Sequence, residues 1–583
     1  MSRNNDFNGN GRDELLVSSP WGMALLELSG NTFTAPVIAP NGTRFGGWNL
    51  QTGDNRFGPV ADFDGDGRAE MVISSPWGVG VLEQRGNSLA PLVMAPNGTR
   101  FGSWNFQSGD NRFEKAADFD GDGRAELLIS SPWGLGVLKL AGSSLSAPMM
   151  APNGTRFGGW NLQTGDNRFG PVGDFDGDGR VEVFVSSPWG VGILQLQGNT
   201  LRPLMMAPNG TRFGGWLLNT RDNFFRLAAD VDGDGRAELL VTSPWGIGIL
   251  KLSGGSLTAL TMAANGTRLG GWIVDTTNNR FGPAADYDGD GRAELLMSSP
   301  WGIGTLEWNA GALTSPLMAA NGTRVGGWVV DTRNNRYGPA ADYDGDGRPE
   351  LIATSPWGLG VLKPTSAASS PVMAPNGTRF GGWNLQTDDN RFGVRRSSFE
   401  YVVVHFKTLL ARTAAIDTFM DTQYKAMEDL FADYGVATYR ATTEDLSGDA
   451  SLAGVVDLDV GPCILGSPTT EHNTLFARRN GVGANDVVVY VVRTLTNGTG
   501  ATNLLGCATH PNNQPGCAVV QANARWLVAH EVGHVLGLLH WGNPPATNSQ
   551  FLMFPTVGWT DTPPDIVQTE VATMVDSTLS RAF

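Results

Sequence analysis

At 583 residues the chain is longer than a single hydrophobic core supports, so two or more domains are expected. A net charge of −16 without any basic stripe argues against nucleic-acid binding, and no apolar run approaches the ~20 residues of a membrane span. The 78 glycines and 33 prolines recur periodically, which indicates many tight turns rather than disorder.

The periodicity is explicit. "DFDGDGRAE" begins at Asp62, and near-copies begin at Asp118, Asp174, Asp230, Asp286 and Asp342, every 56 residues. One period before Asp62, "DFNGNGRDE" begins at Asp6 as a weakened seventh copy. Each copy is followed by "SPWG", and "NGTR" with a following "GW" also occurs seven times. Within a unit, "FGPVADF", "AEMVISS", "VGVLEQ" and "LAPLVMAP" predict four short strands joined by glycine turns. Seven such units predict an all-β seven-bladed propeller over residues 1–393; a linear solenoid would instead carry distinct capping repeats. The ends agree with a ring. The first copy lacks the strand that precedes the aspartate loop elsewhere, and "NGTRFGGWNLQTDDNRFG" (376–393) supplies it after the last "SPWG".

In each loop three carboxylates and a glutamate occupy positions 1, 3, 5 and 9, with glycines at 4 and 6. So many like charges repel unless a cation sits among them, and hard oxygen ligands suit Ca²⁺. The predicted ligands are Asp62, Asp64, Asp66 and Glu70; Asp118, Asp120, Asp122 and Glu126; and Asp174, Asp176, Asp178 and Glu182. They continue with Asp230, Asp232, Asp234 and Glu238; Asp286, Asp288, Asp290 and Glu294; and Asp342, Asp344, Asp346 and Glu350. In the first copy Asp6, Asn8, Asn10 and Glu14 make the weakest site, because two amides replace carboxylates. Position 12 holds Ile73 and the flanks are strands, which excludes an EF-hand. An Asx turn without metal is the plainer alternative.

The loops resemble the FG-GAP repeats of integrin-α-type propellers, with glutamate in place of aspartate at position 9. That resemblance implies up to seven structural calcium ions, one per blade. The "GGW" phase also resembles fungal lectin propellers of the PVL type, which implies a glycan or cell-surface protein as the propeller's partner. Two tryptophans per unit, Trp21 and Trp48 in the first, could stack on sugars or pack between blades. Arginines in "NR" pairs (Arg56, Arg112, Arg168, Arg280, Arg336, Arg391) are missing from the fourth copy, which reads "DNFF". The "NGT" sequons are read first as turns.

After a short junction at 394–398 the period ends, and a mixed α/β domain is expected over 399–583. "FEYVVVHF" and "DVVVYVVRTL" predict buried strands, and "AIDTFMDTQYKAMEDLFADYG" an amphipathic helix ended by Gly435. "GCAVVQAN" predicts a strand running into a helix capped by Asn523, which carries "AHEVGHVLGLLH" (529–540). His530 and His534, four residues apart, share a helix face as two ligands of one Zn²⁺ must. Gly537 can break the helix and turn the chain so that His540 becomes a third ligand, with Glu531 beside them. Histidines merely riding on an amphipathic face are the bland alternative.

This H-E-x-x-H-x-x-G-x-x-H pattern, with Met553 in "SQFLMFPT" as the methionine turn, resembles the metzincin metalloproteases. The resemblance implies one catalytic zinc on His530, His534 and His540, and a metalloendopeptidase in which Glu531 is the general base that passes a proton from water to the leaving nitrogen. A protein or peptide substrate would lie extended along an edge strand, taken as 516–521. Trp541 and Pro555 depart from the major subfamilies, and Pro555 leaves no tyrosine ligand. His405, His472 and His510 have no ligand spacing and are read as structural. Of three cysteines, Cys507 and Cys517 are close enough in sequence for a small-loop disulfide; Cys463 is read as a disulfide partner or buried thiol before a zinc-capping thiolate.

Together these features predict a secreted, monomeric zinc endopeptidase carried on a calcium-stabilised propeller, although "MSRNNDF" lacks a secretory pattern. An adhesin or lectin with a vestigial protease domain is the alternative from another class.

Overall fold

The computed structural model describes residues 5–393 and 400–540, except 20, 53–54, 76, 109–110, 132, 165–166, 221–222, 244, 277–278, 300, 310, 333–334, 366–368, 388–389, 434–435, 484, 499 and 501. It further describes 551–555 and part of 564–582; the 394–398 junction lies outside the described residues. The chain divides into compact units of residues 1–397 and 398–582.

The first unit is a seven-bladed β-propeller. In the repeat of the Asp62 loop, strands Arg56–Ala61, Glu70–Ser75, Gly78–Arg85 and Ser88–Pro96 pair antiparallel in that order. Middle strands such as "EMVISS" are buried on both faces, because each blade is covered by a neighbour on either side. That is why they read as near-continuous apolar runs instead of alternating. Seven sheets repeat this pattern, the sixth with its outer strand broken into Ala312–Thr314 and Met318–Ala320. A two-stranded ribbon, Arg44–Phe45 with Trp48–Asn49 in the first repeat, follows every blade.

The ring closes as the sequence phase predicts. Arg391–Phe392 joins Leu15–Ser19 as the fourth strand of the first blade, with Val17 opposite Phe392. Consecutive aspartate loops are also stitched together by backbone hydrogen bonds. The N–H at position 8 of one loop donates to the carbonyl at position 1 of the loop before it, as from Ala125 to Asp62 at 2.7 Å and from Asp13 to Asp342 at 2.8 Å across the closure. Pro349 has no N–H to donate, so this bond cannot form between the sixth and seventh loops. The arginine at position 7 lies over the glycine at position 4 of the preceding loop. A Cβ on Gly65 (φ +82°) would meet Arg124 at 2.9 Å, and one on Gly345 would meet Arg12 at 2.8 Å.

The second unit is built on a mostly parallel sheet. Val436–Asp445, Glu400–Thr408, Val487–Val492 and Gly516–Val520 run parallel in that order, and Gly506–Cys507 is added antiparallel. Helices α1 (Ala414–Asp433) and α3 (Leu527–Val535) cover one face through Phe406, Met420, Met427, Val489 and Val532. Helix α2 (Thr470–Phe476) and the turn before it cover the other through Leu452, Leu475, Phe476 and Tyr490.

This topology corrects two expectations. The 516–520 strand is paired on both sides, so it is no edge; the edge is Gly506–Cys507. The disulfide joins Cys463 to Cys507, and Cys517 is a buried thiol. Cys507 belongs to the core on the α2 face and Cys517 to that on the α1–α3 face, so the sheet separates them. Cys463 is thereby unavailable as a zinc-capping thiolate.

Replacing Phe392 by alanine empties a buried site on the closing strand. The expected loss is about 3–5 kcal/mol of propeller stability, read from denaturant titration followed by tryptophan fluorescence. A change under about 1 kcal/mol would show that closure does not depend on this strand.

Candidate functional site

Helix α3 begins at Leu527 rather than beside Asn523, and its N-cap residue, Trp526, makes no side-chain cap. The buried side chain of Gln423, on α1, supplies the missing partners. Its Oε1 accepts from Val528 N at 3.0 Å and its Nε2 donates to Ala524 O at 2.8 Å. Capping from another helix leaves no local sequence signal. Gly537 (φ +104°) ends the helix, with its N–H on His534 O at 3.0 Å, and the chain turns back to His540.

The turn brings the three imidazoles together. His540 Nε2 lies 3.1 Å from His530 Nε2 and 3.0 Å from His534 Nε2. The Nδ1–H of His530 donates to Leu552 O and that of His534 to Leu538 O, both at 2.8 Å. A carbonyl can only accept, so the proton sits on Nδ1 and the Nε2 lone pairs face inward. Burial lowers the pKa of His530 to about 3 and of His534 to about 4, helped by the neighbouring imidazoles, so the cluster stays neutral. His540 Nε2 meets both lone pairs at hydrogen-bonding distance, as an N–H donor or, in its other tautomer, as a third lone pair that a cation would gather. Three nitrogens about 2.0–2.1 Å from one tetrahedral ion stand about 3.3 Å apart, a few tenths of an ångström beyond these separations. The donor set therefore fits zinc.

Met553 is fully buried beneath this cluster, where a Cβ on Gly533 would meet its Sδ at 3.0 Å. Glu531 is buried as well, and desolvation raises its carboxyl to about 8. Its Oε1 lies so close to the edge strand that a Cβ on Gly506 would be 2.3 Å away. Gly506 and Gln423 were both missed by sequence reading; each acts through a contact between segments far apart in the chain. Trp541 and the stretch to residue 550 lie outside the described residues. His405 is held between Thr442 Oγ1 at 2.7 Å and Asp486 Oδ2 at 3.0 Å, and His472 caps α2 with Thr469, so both are structural.

In the propeller, positions 1, 3, 5 and 9 of the loops converge, as in Asp62, Asp64, Asp66 and Glu70, or Asp286, Asp288, Asp290 and Glu294. Position 1 is the turn former. Asp62 Oδ1 accepts from Gly65 N at 2.6 Å and Oδ2 from Gly67 N at 2.9 Å, a pattern that recurs from Asp6 to Asp342. The Asx turn and the ligand reading thus describe one loop rather than two alternatives. Burial raises Glu70 and Glu294 to about 8, with the neighbouring aspartates adding to it. In the first loop Asn10 Nδ2 donates to Glu27 Oε1 at 2.7 Å, and Asn8 donates to Glu14.

At the opposite end of each blade, the two tryptophans of a repeat divide their roles. Trp48 and its counterparts pack inward, with Nε1–H on Asn55 Oδ1 at 3.2 Å and equivalent pairs through Trp383 and Asn390 at 3.0 Å. Those of "SPWG", Trp21, Trp77, Trp133, Trp189, Trp245, Trp301 and Trp357, are each 64–66% exposed. Arg44 and its counterparts in "NGTR" are exposed on the same end. The sequon Asn97 is engaged in its turn, with its N–H on Trp77 O at 2.8 Å and Nδ2 on Ser108 Oγ at 3.0 Å. The side chains of Arg56, Arg280 and Arg336 lie outside the described residues.

The FG-GAP-like repeat family matches residues 62–129, 174–241 and 230–297, so the blades carry FG-GAP repeats. No curated protein matches the chain. Among solved structures, an Agrocybe aegerita lectin, described as recognising non-reducing terminal N-acetylglucosamine, is 20% identical with a TM-score of 0.45; the match covers 66% of this chain and 95% of the lectin. A putative 6-phosphogluconolactonase from Bacteroides uniformis is 13% identical with a TM-score of 0.34, over 66% of this chain and all of the other. Metalloproteinase-II from Bacteroides fragilis is 11% identical with a TM-score of 0.23, over 49% of this chain and 80% of that one. No helix among the described residues is long and apolar enough to cross a membrane.

Substituting Gln423 by alanine leaves the first turn of α3 without its buried partner. The second unit is expected to lose about 1–3 kcal/mol, visible as a lower melting temperature by circular dichroism. An unchanged melting curve would mean that water caps the helix equally well.

Proposed function

We propose that the 398–582 unit is a zinc-dependent endopeptidase and that the propeller, stabilised by calcium, is its recognition module. The observation that carries this reading is the convergence of three Nε2 lone pairs, two of them fixed from behind by carbonyls, beside one buried carboxylate. His530, His534 and His540 would hold the metal, with Met553 as the floor beneath them. Bound zinc supplies Lewis acidity towards a carbonyl and lowers the pKa of water. Glu531, kept protonatable near neutral pH by burial, takes a proton from water and returns it to the departing nitrogen. Gly506–Cys507 is paired on one side only among the described residues, so an extended peptide would pair along its other side, beside the Glu531 carboxylate. Among the described residues no fourth histidine or cysteine joins the cluster, and a catalytic zinc on three imidazoles would keep a position for water and substrate.

Glu531→Gln keeps the size of the side chain and removes its basicity. It is expected to lower the rate of casein cleavage by about 10²–10⁴-fold while zinc content stays at one per chain and the melting temperature is retained. Equal cleavage by both proteins would sink the enzyme reading.

The rival reading, an adhesin or lectin with a vestigial second unit, draws on the seven exposed tryptophans. Exposed indoles and guanidiniums offer stacking faces and hydrogen-bond donors, which suit sugar rings, and repetition around the ring turns weak single contacts into avidity. Replacing Trp77, Trp189 and Trp301 by alanine is expected to weaken binding to a glycan array by about 10-fold or more. Silence of the wild-type protein across the array would instead point to a protein ligand. Zinc-loaded wild type that binds glycans and cleaves nothing would favour the adhesin.

A further inference from the structure

The seven aspartate loops are not equivalent, and the difference lies in a residue outside them. Each loop faces the third strand of its own blade, at the residue 21 positions beyond the loop's first aspartate or its equivalent. In chain order that residue is Glu27, Glu83, Lys139, Gln195, Lys251, Glu307 and Lys363.

Where it is lysine, the ammonium sits among the inward carboxylate oxygens. Lys139 Nζ is 2.5 Å from Asp120 Oδ2, 2.8 Å from Asp122 Oδ2 and 2.7 Å from Glu126 Oε1. Lys251 Nζ makes the same three approaches to Asp232, Asp234 and Glu238 at 2.5, 2.7 and 3.2 Å. Lys363 Nζ reaches Asp344, Asp346 and Glu350 at 2.6, 2.6 and 3.1 Å. One positive charge with three donors, facing three carboxylates, occupies the place a cation would take. In the fourth blade the Gln195 amide does so without charge, with Nε2 at 2.9 Å from Asp178 Oδ2 and 3.0 Å from Glu182 Oε1. In the first blade the amides of Asn8 and Asn10 serve Glu14 and Glu27.

The second and sixth blades have no such group. There the facing residue is itself a carboxylate, Glu83 or Glu307; in the second blade Arg85 meets Glu83 Oε1 at 2.5 Å and Arg68 pairs with Asp66, while among the described residues no lysine or arginine pairs with Glu70. In the sixth blade Glu294 Oε1 is buried and has no hydrogen-bond partner, and among the described residues no lysine or arginine pairs with it. It is the counterpart of the oxygen that meets the ammonium in blades three, five and seven. Arg292 pairs with Asp290 and, at 3.1 Å, with Glu307, and so serves the rim. An inward carboxylate oxygen without a donor, among four other carboxylates, stays ionised only with a cation beside it. The all-oxygen donor set suits a hard divalent ion such as Ca²⁺.

We propose that the propeller binds two calcium ions, one at Asp64, Asp66, Glu70 and Glu83 and one at Asp288, Asp290, Glu294 and Glu307, and that Lys139, Lys251 and Lys363 are tethered cations that replace calcium in their blades. The proposal rests on reading the loops as cation sites and assigns which of them need an exogenous ion. The experiment is equilibrium dialysis of the full chain, stripped with chelator, against calcium chloride alone, with bound calcium counted by elemental analysis and zinc counted separately. Two calcium ions per chain are expected for wild type, one for Glu294→Gln and three for Lys139→Glu, which recreates the facing carboxylate of blades two and six. Six or seven ions in wild type would overturn the partition while leaving the loops as cation sites. No bound calcium would overturn the cation reading itself. Lys139→Glu remaining at two would sink the tethered-cation role, even if Glu294→Gln fails to fold.

Discussion

Lone pairs that converge repel one another until a positive group or a hydrogen-bond donor comes between them. Both units of this chain are organised around that constraint. In the propeller the converging atoms are carboxylate oxygens at positions 3, 5 and 9 of the six loops from Asp62 to Asp342. In the second unit they are the Nε2 atoms of His530, His534 and His540. What differs is how each unit brings its lone pairs together. The loops do so with two glycines and an aspartate that folds back on the backbone; the histidines need a helix, a glycine break and a return strand of chain.

The propeller solves the constraint within a repeat that it copies seven times, and copying makes single-residue differences informative. Position 1 accepts two backbone N–H groups in every copy, so the turn survives whatever occupies the centre. That separation of duties lets a lysine, a glutamine or a pair of asparagines stand in the centre without loss of the blade. The loops are also joined to each other by the position-8 hydrogen bonds and by arginines lying over the glycines.

Much of this was legible in the sequence because it depends on spacing along the chain. The 56-residue period yields the blades, the offset of the first copy yields the closing strand at Arg391–Phe392, and the histidine spacing yields their convergence. The unreadable features depend on which face of a sheet a residue occupies. Cys507 and Cys517 are ten residues apart in sequence yet lie on opposite faces, so the bridge goes to Cys463. The 516–520 strand was taken for the edge because the antiparallel Gly506–Cys507 strand is too short to show as a strand. The cap of α3 comes from Gln423, about a hundred residues upstream. The facing residues Glu83 and Lys139 did stand at a fixed offset, but only the structure shows that this offset points into the loops.

The position of Gly506 ties the edge strand to the chemistry of the second unit. Any larger residue there would push into the Glu531 carboxylate, since even a Cβ would stand 2.3 Å from Oε1. The Gly506–Cys507 strand and the Glu531 carboxylate are therefore held in register by one missing side chain. Burial raises the Glu531 carboxyl to about 8. A positive ion placed among the Nε2 atoms would lower that value and release the base.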